Sequence, residues 1–96
     1  HEEALLHFLQ DPNILRDWAN FGGYATLASY GIPIPDSMSP EKLALVRDAF
    51  EKNLPSTHLN FFRNLNLRHT IGDYLFVHAG IQPGVILEKQ KPEDLL

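Results

Sequence analysis

The stretch DYLFVHAGIQPG, residues 73–84, places a histidine at the end of a β-forming run. His78 follows the strand-forming residues 74–77 and comes directly before Ala79 and Gly80, the two smallest residue types. A strand fixes the imidazole ring while the loop after it admits an ion, so this position is typical of a metal ligand. The alternative is an ordinary turn, and one histidine before a glycine does not by itself decide between the two.

A second histidine with a chemical interpretation is His1, followed by Glu2 at the head of a predicted helix. The N-terminus of a helix favours anions, phosphate included, and a histidine there is placed to protonate a leaving oxygen. The alternative is that His1 is the remnant of an affinity tag. We expect the other three histidines, His7, His58 and His69, to be structural or surface residues rather than ligands.

Composition limits the possible functions. The chain has 96 residues, 44% of them hydrophobic, which predicts one globular domain or part of one. The net charge of −4 and the lack of a lysine and arginine cluster argue against a nucleic-acid partner. The absence of cysteine excludes disulfides and thiolate metal sites. No apolar run approaches the ~20 residues of a membrane helix. Because the sequence has neither cysteine nor a visible targeting signal, a cytoplasmic protein is the default expectation.

Hydrophobic periodicity predicts about five helices followed by two strands, and therefore an α+β class. The expected helices cover residues 2–10, 12–21, 24–30, 40–53 and 56–65. Asp11-Pro12 and Ser39-Pro40 each read as an N-cap followed by proline at the first helical position, and Ser56 reads as the cap of the fifth helix. The proline-rich segment IPIPDSM, residues 32–38, is expected to be a loop, and a candidate for the rim of a substrate site.

The same periodicity predicts which side chains form the core. In the fourth helix the buried stripe consists of Leu43, Val46 and Phe50, with Leu45 and Ala49 beside it. Four aromatic residues of the preceding helices are expected to be core residues rather than surfaces on which a substrate stacks. They are Trp18, Phe21, Tyr24 and Tyr30.

The period then changes from that of a helix to that of a strand. The runs LRHTI and YLFVHA are joined by Gly72-Asp73, which indicates a hairpin with a two-residue turn. A lone hairpin is marginal in water, so we expect its sheet to continue in other parts of the protein. The chain then reads as a single partial domain, an internal piece of a longer protein, with a helical insert over 1–66 and a hairpin and loop over 67–96.

Four stretches together resemble the calcineurin-like metallophosphoesterases, and especially the bacterial serine/threonine phosphoprotein phosphatases. HEEALL, residues 1–6, looks like the end of the family's Gly-Asn-His-Glu motif, cut before its histidine. WANFGGYATLASYG, residues 18–31, and LPSTHLNFFRNL, residues 54–65, are similar to two helical stretches of the bacterial enzymes. GDYLFVHAGIQPG, residues 72–84, resembles the strand and loop that carry a metal-ligand histidine. The match covers nearly the whole chain.

The resemblance implies a four-layer α/β/β/α fold and a site for two divalent metal ions, with manganese favoured over iron or zinc. It implies that His78 ligates one metal and that His1 acts at the leaving group. It assigns no substrate-binding residue, because the family's phosphate-clamping arginines and its other metal ligands have no counterpart in this chain. We therefore expect these 96 residues alone to be inactive.

The implied activity is hydrolysis of phosphate monoesters, with phosphoserine or phosphothreonine proteins as expected substrates. Two alternatives stay open at this point. A hydrolase of dinucleoside polyphosphates within the same superfamily would use the same metal core. A non-catalytic, helical protein-binding module would leave His78 without a chemical role.

Overall fold

The computed structural model describes all of residues 1–96 and has an α+β architecture, in which helices precede an antiparallel hairpin. The elements are α1 (Glu2–Gln10), α2 (Leu15–Trp18), α3 (Gly23–Ser29), α4 (Pro40–Asn53), α5 (Ser56–Arg63), β1 (Arg68–Ile71), β2 (Tyr74–Val77) and α6 (Pro92–Leu95), with 3₁₀ turns at Pro12–Ile14, Ala19–Phe21 and Leu87–Lys89. The chain divides into two compact units, residues 1–63 and 64–96. None of the helices is long and apolar enough to cross a membrane.

Local capping signals determine where the early helices begin. The Asp11 carboxylate accepts hydrogen bonds from the backbone N–H and the side-chain amide of Asn13, each 2.9 Å long. The bond from the Asn13 backbone, and then that from its side chain, hold the pKa of Asp11 below its ordinary value. The prediction of a helix start at Asp11-Pro12 is confirmed, although the first turn is a 3₁₀ turn that leads into α2.

α4 begins as predicted. Ser39 Oγ accepts a hydrogen bond from the Lys42 backbone N–H at 3.3 Å, and Pro40 is the first helical residue. α5 differs slightly from the prediction, because Ser56 lies inside the helix and the Pro55 carbonyl accepts the first bond, from Leu59 N–H at 3.0 Å. α5 also ends at Arg63, two residues earlier than the apolar spacing indicated.

The first unit is built around one hydrophobic core. Phe8 of α1 lies at its centre and contacts Trp18 and Phe50, with ring centroids 5.6 Å and 6.0 Å apart. The predicted stripe on α4 is confirmed, and the buried set is Leu5, Phe8, Leu15, Trp18, Leu27, Ile32, Leu43, Val46, Phe50 and Leu54. Burying a side chain such as Phe8 completely stabilises the fold by about 1.5–3 kcal/mol. This core fixes α1 against the segment that carries Trp18.

The expectation that four aromatic residues form the core is only partly correct. Trp18 is buried, and Tyr24 and Tyr30 are half-buried against the core. Phe21 is 68% exposed, so its prediction as a core residue is wrong. Phe21 is the last residue before Gly22, where the left-handed backbone ends the helical path, and its side chain lies outside the core.

The predicted loop over residues 32–38 has no regular secondary structure, as expected. Arg16 of α2 holds the end of this loop, because its Nη2 donates to the Met38 carbonyl at 2.7 Å. Lys42 forms an exposed ion pair with Asp36, 3.4 Å apart. Such exposed pairs contribute little, so the bond from Arg16 is the stronger constraint on this loop.

The second unit contains the hairpin. Its four residue pairs run from Arg68 opposite Val77 to Ile71 opposite Tyr74. Gly72 has φ +56° and Asp73 does not have positive φ, which is the pattern of a type II′ turn and confirms the predicted two-residue connection. One face of the hairpin carries Leu75 and Val77, both half-buried. The opposite face is exposed and consists of His69, Ile71, Tyr74 and Phe76.

Candidate functional site

His78 lies immediately after the last paired residue of β2, and its side chain is exposed. The residue after it is held in place, because the Ala79 backbone N–H donates to the Leu95 carbonyl of α6 at 3.1 Å. A β-carbon placed on Gly80 would meet nothing within 4 Å. The histidine is therefore fixed on one side by a strand and on the other by a backbone hydrogen bond, with open space beside the chain that follows.

The loop after His78 has a defined shape. Gln82 and Val85 enclose Pro83-Gly84, the Val85 N–H donates to the Gln82 carbonyl at 3.3 Å, and Gly84 has φ +79°. Proline followed by a glycine with positive φ is the sequence of a type II turn. Pro83-Gly84, the last two residues of the stretch DYLFVHAGIQPG, therefore form the turn of this loop.

Gln90 closes this loop through its side chain. Its Oε1 accepts from the Gln82 backbone N–H at 2.7 Å, and its Nε2 donates to the carbonyls of Gln82 and Val85 at 2.9 Å and 2.8 Å. Arg68 of β1 adds a further connection, with Nη1 donating to the Leu87 carbonyl at 2.8 Å. The role of Gln90 was not predictable, because nothing in its local sequence indicates three hydrogen bonds to a turn five to eight residues earlier.

His1 lies at the N-cap of α1, where its carbonyl accepts from the Leu5 N–H at 3.0 Å. Its side chain is exposed. The imidazole lies against Gly22, because a β-carbon built there would be 3.4 Å from Cε1 and 3.5 Å from Nδ1 of His1. Two of the stretches that carry the family resemblance, HEEALL and the one containing Gly22-Gly23, thus meet in space.

The two adjacent glycines are required for different reasons. Gly22 has φ +93°, a left-handed conformation that side chains disfavour, and it connects the 3₁₀ turn to α3. Gly23 is buried, and a β-carbon there would lie 2.8 Å from the Trp18 carbonyl oxygen. In the sequence, the doubled glycine is the available signal of this close approach.

Two other motif stretches also meet. The hydroxyl of Tyr30 and Nδ1 of His58 are 2.9 Å apart, and their rings are in an edge-to-face arrangement with centroids 5.8 Å apart. Asn53 Nδ2 donates to the Tyr30 carbonyl at 3.1 Å. His58 thus contacts the end of α3 by a hydrogen bond as well as by packing.

The remaining histidines occupy surface positions. His7 is exposed on α1, and its backbone carbonyl accepts from the Asp11 N–H at 2.8 Å. His69 is exposed on β1, opposite Phe76. No group of three or more histidine, cysteine, aspartate or glutamate side chains is gathered closely enough to hold a metal ion.

The two candidate residues belong to different units. His1 lies in the first unit, against Gly22, and His78 lies in the second, between β2 and the loop closed by Gln90. Comparison of the chain with protein-family models, with curated proteins and with solved structures gave no match. The functional conclusion therefore depends on the site residues themselves.

Proposed function

We propose that this chain is part of a metal-dependent phosphoesterase of the calcineurin-like type, in which His78 is a metal ligand and His1 acts on the leaving group. The observation that carries the proposal is the position of His78. It is exposed, it directly follows β2, and the next residue is tied to α6. Metal-binding histidines are commonly held in this way, on a rigid element beside an accessible loop.

The donor chemistry of this chain fits part of a dinuclear centre. A neutral imidazole is a good ligand for manganese, iron or zinc. The chain supplies one such exposed histidine at the strand end and no group of three ligands, so the other ligands of each metal would come from elsewhere in the protein. When bound, two divalent cations would neutralise the charge of a phosphate ester and position it for hydrolysis.

The chain's own residues then have separate tasks. His78 would hold its metal with the ring orientation set by β2, and Gln90 would keep the following loop in one conformation. His1 would donate a proton to the oxygen that leaves the phosphorus, which requires an exposed ring such as the one observed. A phosphoserine or phosphothreonine side chain is an alkoxide leaving group and gains most from this proton.

Contacts between the stretches that carry the family resemblance support the same function. These contacts join residues far apart in the sequence, so local sequence does not require them. His1 of the first stretch lies against Gly22 of the second, and Tyr30 of the second is hydrogen-bonded to His58 of the third. Three of the four stretches on which the resemblance rests are thus in mutual contact within the first unit. In the proposed full protein, the hairpin would be part of one of two β-sheets flanked by helices.

The test is a comparison of two histidine variants in the intact protein. Losing one ligand of a two-metal site removes several kcal/mol of charge stabilisation, so His78→Ala should lower kcat for p-nitrophenyl phosphate by about 100-fold or more. Metal content, measured by mass spectrometry, should fall as well. His69→Ala, an exposed histidine of the same hairpin, should change neither quantity. Unchanged metal content and activity in His78→Ala would instead favour a non-catalytic binding module.

The substrate class requires a second assay on the unmodified intact protein. We expect faster hydrolysis of a phosphoserine peptide than of diadenosine tetraphosphate. The reverse order would keep the metal site but assign the protein to dinucleoside polyphosphate hydrolysis.

A further inference from the structure

Phe21 is the most exposed large hydrophobic side chain of the first unit, at 68%. Its exposure follows from the local backbone, because Phe21 ends the 3₁₀ turn Ala19–Phe21 and the left-handed Gly22 follows it directly. The helical path that would carry its side chain into the core ends at this residue. Single exposed apolar residues are common on protein surfaces, so the exposure alone indicates no function.

Phe21 differs from other exposed apolar residues in lying beside His1. A β-carbon built on Gly22, the next residue, would be 3.4 Å from Cε1 of His1. Consecutive Cα atoms are about 3.8 Å apart, so the Cα of Phe21 lies within roughly 9 Å of that ring atom. An extended peptide advances about 3.3–3.6 Å per residue. A peptide whose phosphoserine has reached His1 therefore has the side chains on either side of it within reach of Phe21.

The backbone that carries Phe21 is held in place on both sides. After it, the Gly22 carbonyl accepts from the backbone N–H of Thr26 at 2.9 Å and from its Oγ1 at 3.0 Å. Before it, Trp18 is buried in the core. A side chain on such a fixed element recognises a ligand efficiently, because the backbone loses little freedom when the ligand binds.

We propose that Phe21 contacts the substrate beside the phosphoserine, and that it favours peptides with an apolar side chain next to the phosphorylated residue. The inference rests on the proposed function and adds a substrate preference to it. An aromatic ring offers a large apolar area with few rotatable bonds. An apolar side chain that packs on the Phe21 ring is removed from water, which strengthens binding.

The surrounding charges favour a peptide over a nucleotide, although an aromatic ring also stacks on adenine. Glu2 follows His1, and Asp17 lies in α2, so both sides of the exposed ring carry a carboxylate in the sequence. Residues 1–41 contain one arginine and no lysine, and the guanidinium of that arginine, Arg16, donates to a loop carbonyl. The several negative charges of a polyphosphate chain would be repelled here more than the single phosphate of a phosphoserine peptide.

The test is steady-state hydrolysis of two phosphoserine peptides by the intact protein, one with leucine and one with glycine on both sides of the phosphoserine. The unmodified protein should have a KM about 5- to 50-fold lower for the leucine peptide. In Phe21→Ala that KM should rise to the value for the glycine peptide. The kcat should stay within about twofold, because the contact is present in both ground and transition states. Phe21→Tyr should retain the preference, since its ring keeps an apolar face.

Phe61→Ala is the matched control. Phe61 is 62% exposed, but it lies on α5 beside Phe62, with ring centroids 5.7 Å apart. Its removal should leave the preference for leucine unchanged. The proposal would be overturned by an unmodified protein without this preference, or by an equal loss of preference in Phe61→Ala and Phe21→Ala. A loss in Phe21→Ala that is confined to diadenosine tetraphosphate would also overturn it and would assign the ring to stacking on adenine.

Melting temperatures of the same intact variants test the alternative that another part of the protein covers Phe21. A ring exposed to solvent adds little to stability, so Phe21→Ala should melt within about 3 °C of the unmodified protein. A much larger decrease, or a variant that does not fold, would show that Phe21 belongs to a core of the intact protein and would overturn the proposal.

The glycine peptide separates this inference from the proposed function. It offers no side chain to Phe21, so Phe21→Ala should hydrolyse it with the kcat and KM of the unmodified protein. If the unmodified protein hydrolyses neither peptide nor p-nitrophenyl phosphate, the proposed function fails and the substrate preference fails with it. If it hydrolyses both peptides with equal KM, the proposed function stands and this inference alone is wrong.

Discussion

At the scale of single residues, the account depends on two imidazoles with different surroundings. His78 is exposed after a strand, with its neighbour tied to α6, and its proposed role is to hold a cation. His1 is exposed at the head of α1, against Gly22, and its proposed role is to donate a proton. These roles make different predictions for substitution, because removing a ligand depletes metal whereas removing an acid does not.

His1→Gln should retain bound metal but lose activity in a way that depends on the leaving group. General acid catalysis contributes about 10²–10⁴-fold when the leaving oxygen needs a proton, as a serine alkoxide does. Nitrophenolate leaves readily without one. Hydrolysis of a phosphoserine peptide should therefore fall much more than hydrolysis of p-nitrophenyl phosphate. Equal losses with both substrates would contradict a role for His1 at the leaving group.

The carboxylate of Asp11 gives a prediction for pH. Its pKa is lowered by the hydrogen bonds from Asn13, so its stabilising effect is complete above the ordinary pKa of 3.8 and is lost as the pH falls through the lowered value. Asp11→Asn keeps an acceptor oxygen without the titration. The difference in melting temperature between the two proteins should shrink on acidification through this range. A difference that is independent of pH would contradict the role of the Asp11 charge.

The buried indole of Trp18 is a further feature at this scale. Its Nε1 is buried without a hydrogen-bond partner, and an unsatisfied buried donor costs about 1–3 kcal/mol. The structure offers no explanation for why this buried N–H group has no partner. Trp18 also forms the contact with Phe8 that connects α1 to the Gly22-Gly23 turn.

At the scale of elements, α4 supplies much of the core through one face. Phe50 is completely buried, whereas Leu45 of the same helix is 64% exposed. Phe50→Ala should lower the free energy of unfolding by about 3–5 kcal/mol, through lost burial and a cavity. Leu45→Ala should change it by less than about 0.5 kcal/mol. Urea denaturation measures both, and comparable losses would show that the assigned faces of α4 are wrong.

The loop after β2 depends on the Gln90 side chain. Gln90→Leu removes all three of its hydrogen bonds to Gln82 and Val85 at similar volume. A net hydrogen bond is worth about 1 kcal/mol, so amide exchange at Gln82 should accelerate about fivefold or more. Gln82→Ala is the matched control, since residue 82 contributes its backbone to these bonds. Unchanged exchange in Gln90→Leu would mean that the turn is stable without Gln90.

The elements were predictable from sequence where the signal is local. Ser39-Pro40 and Asp11-Pro12 mark helix starts, and Gly72-Asp73 marks the hairpin turn, because capping and turn geometry depend on adjacent residues. The contacts that shape the candidate site join distant residues. Neither the approach of His1 to Gly22 nor the exposure of Phe21 follows from spacing, because each depends on where α1 and the end of the 3₁₀ turn lie in space.

At the scale of the whole molecule, the two units differ in how much they bury. The first contains ten buried hydrophobic residues in one cluster, while in the second Leu95 is the only one. A two-stranded hairpin with no completely buried side chain is marginal in water. The difference predicts unequal stability within the 96-residue chain rather than one cooperative transition.

Hydrogen exchange on this 96-residue chain measures that difference. Amides of α1 and α4 should be protected, whereas those of β1 and β2 should exchange close to the rate of an unstructured chain. In the intact protein the strands should become protected, because the proposed fold covers them. Strong protection of the hairpin in the 96-residue chain would show that it needs no further strands.

The proposed role of His78 as a metal ligand can be tested by crystallography. Crystals of the intact protein grown with Mn²⁺ give an anomalous difference map that locates the metal without reference to activity. We predict a peak at ligand distance from an imidazole nitrogen of His78, with the remaining ligands supplied by other parts of the protein. Manganese bound elsewhere, with the His78 ring turned to solvent or packed against hydrocarbon, would contradict the account.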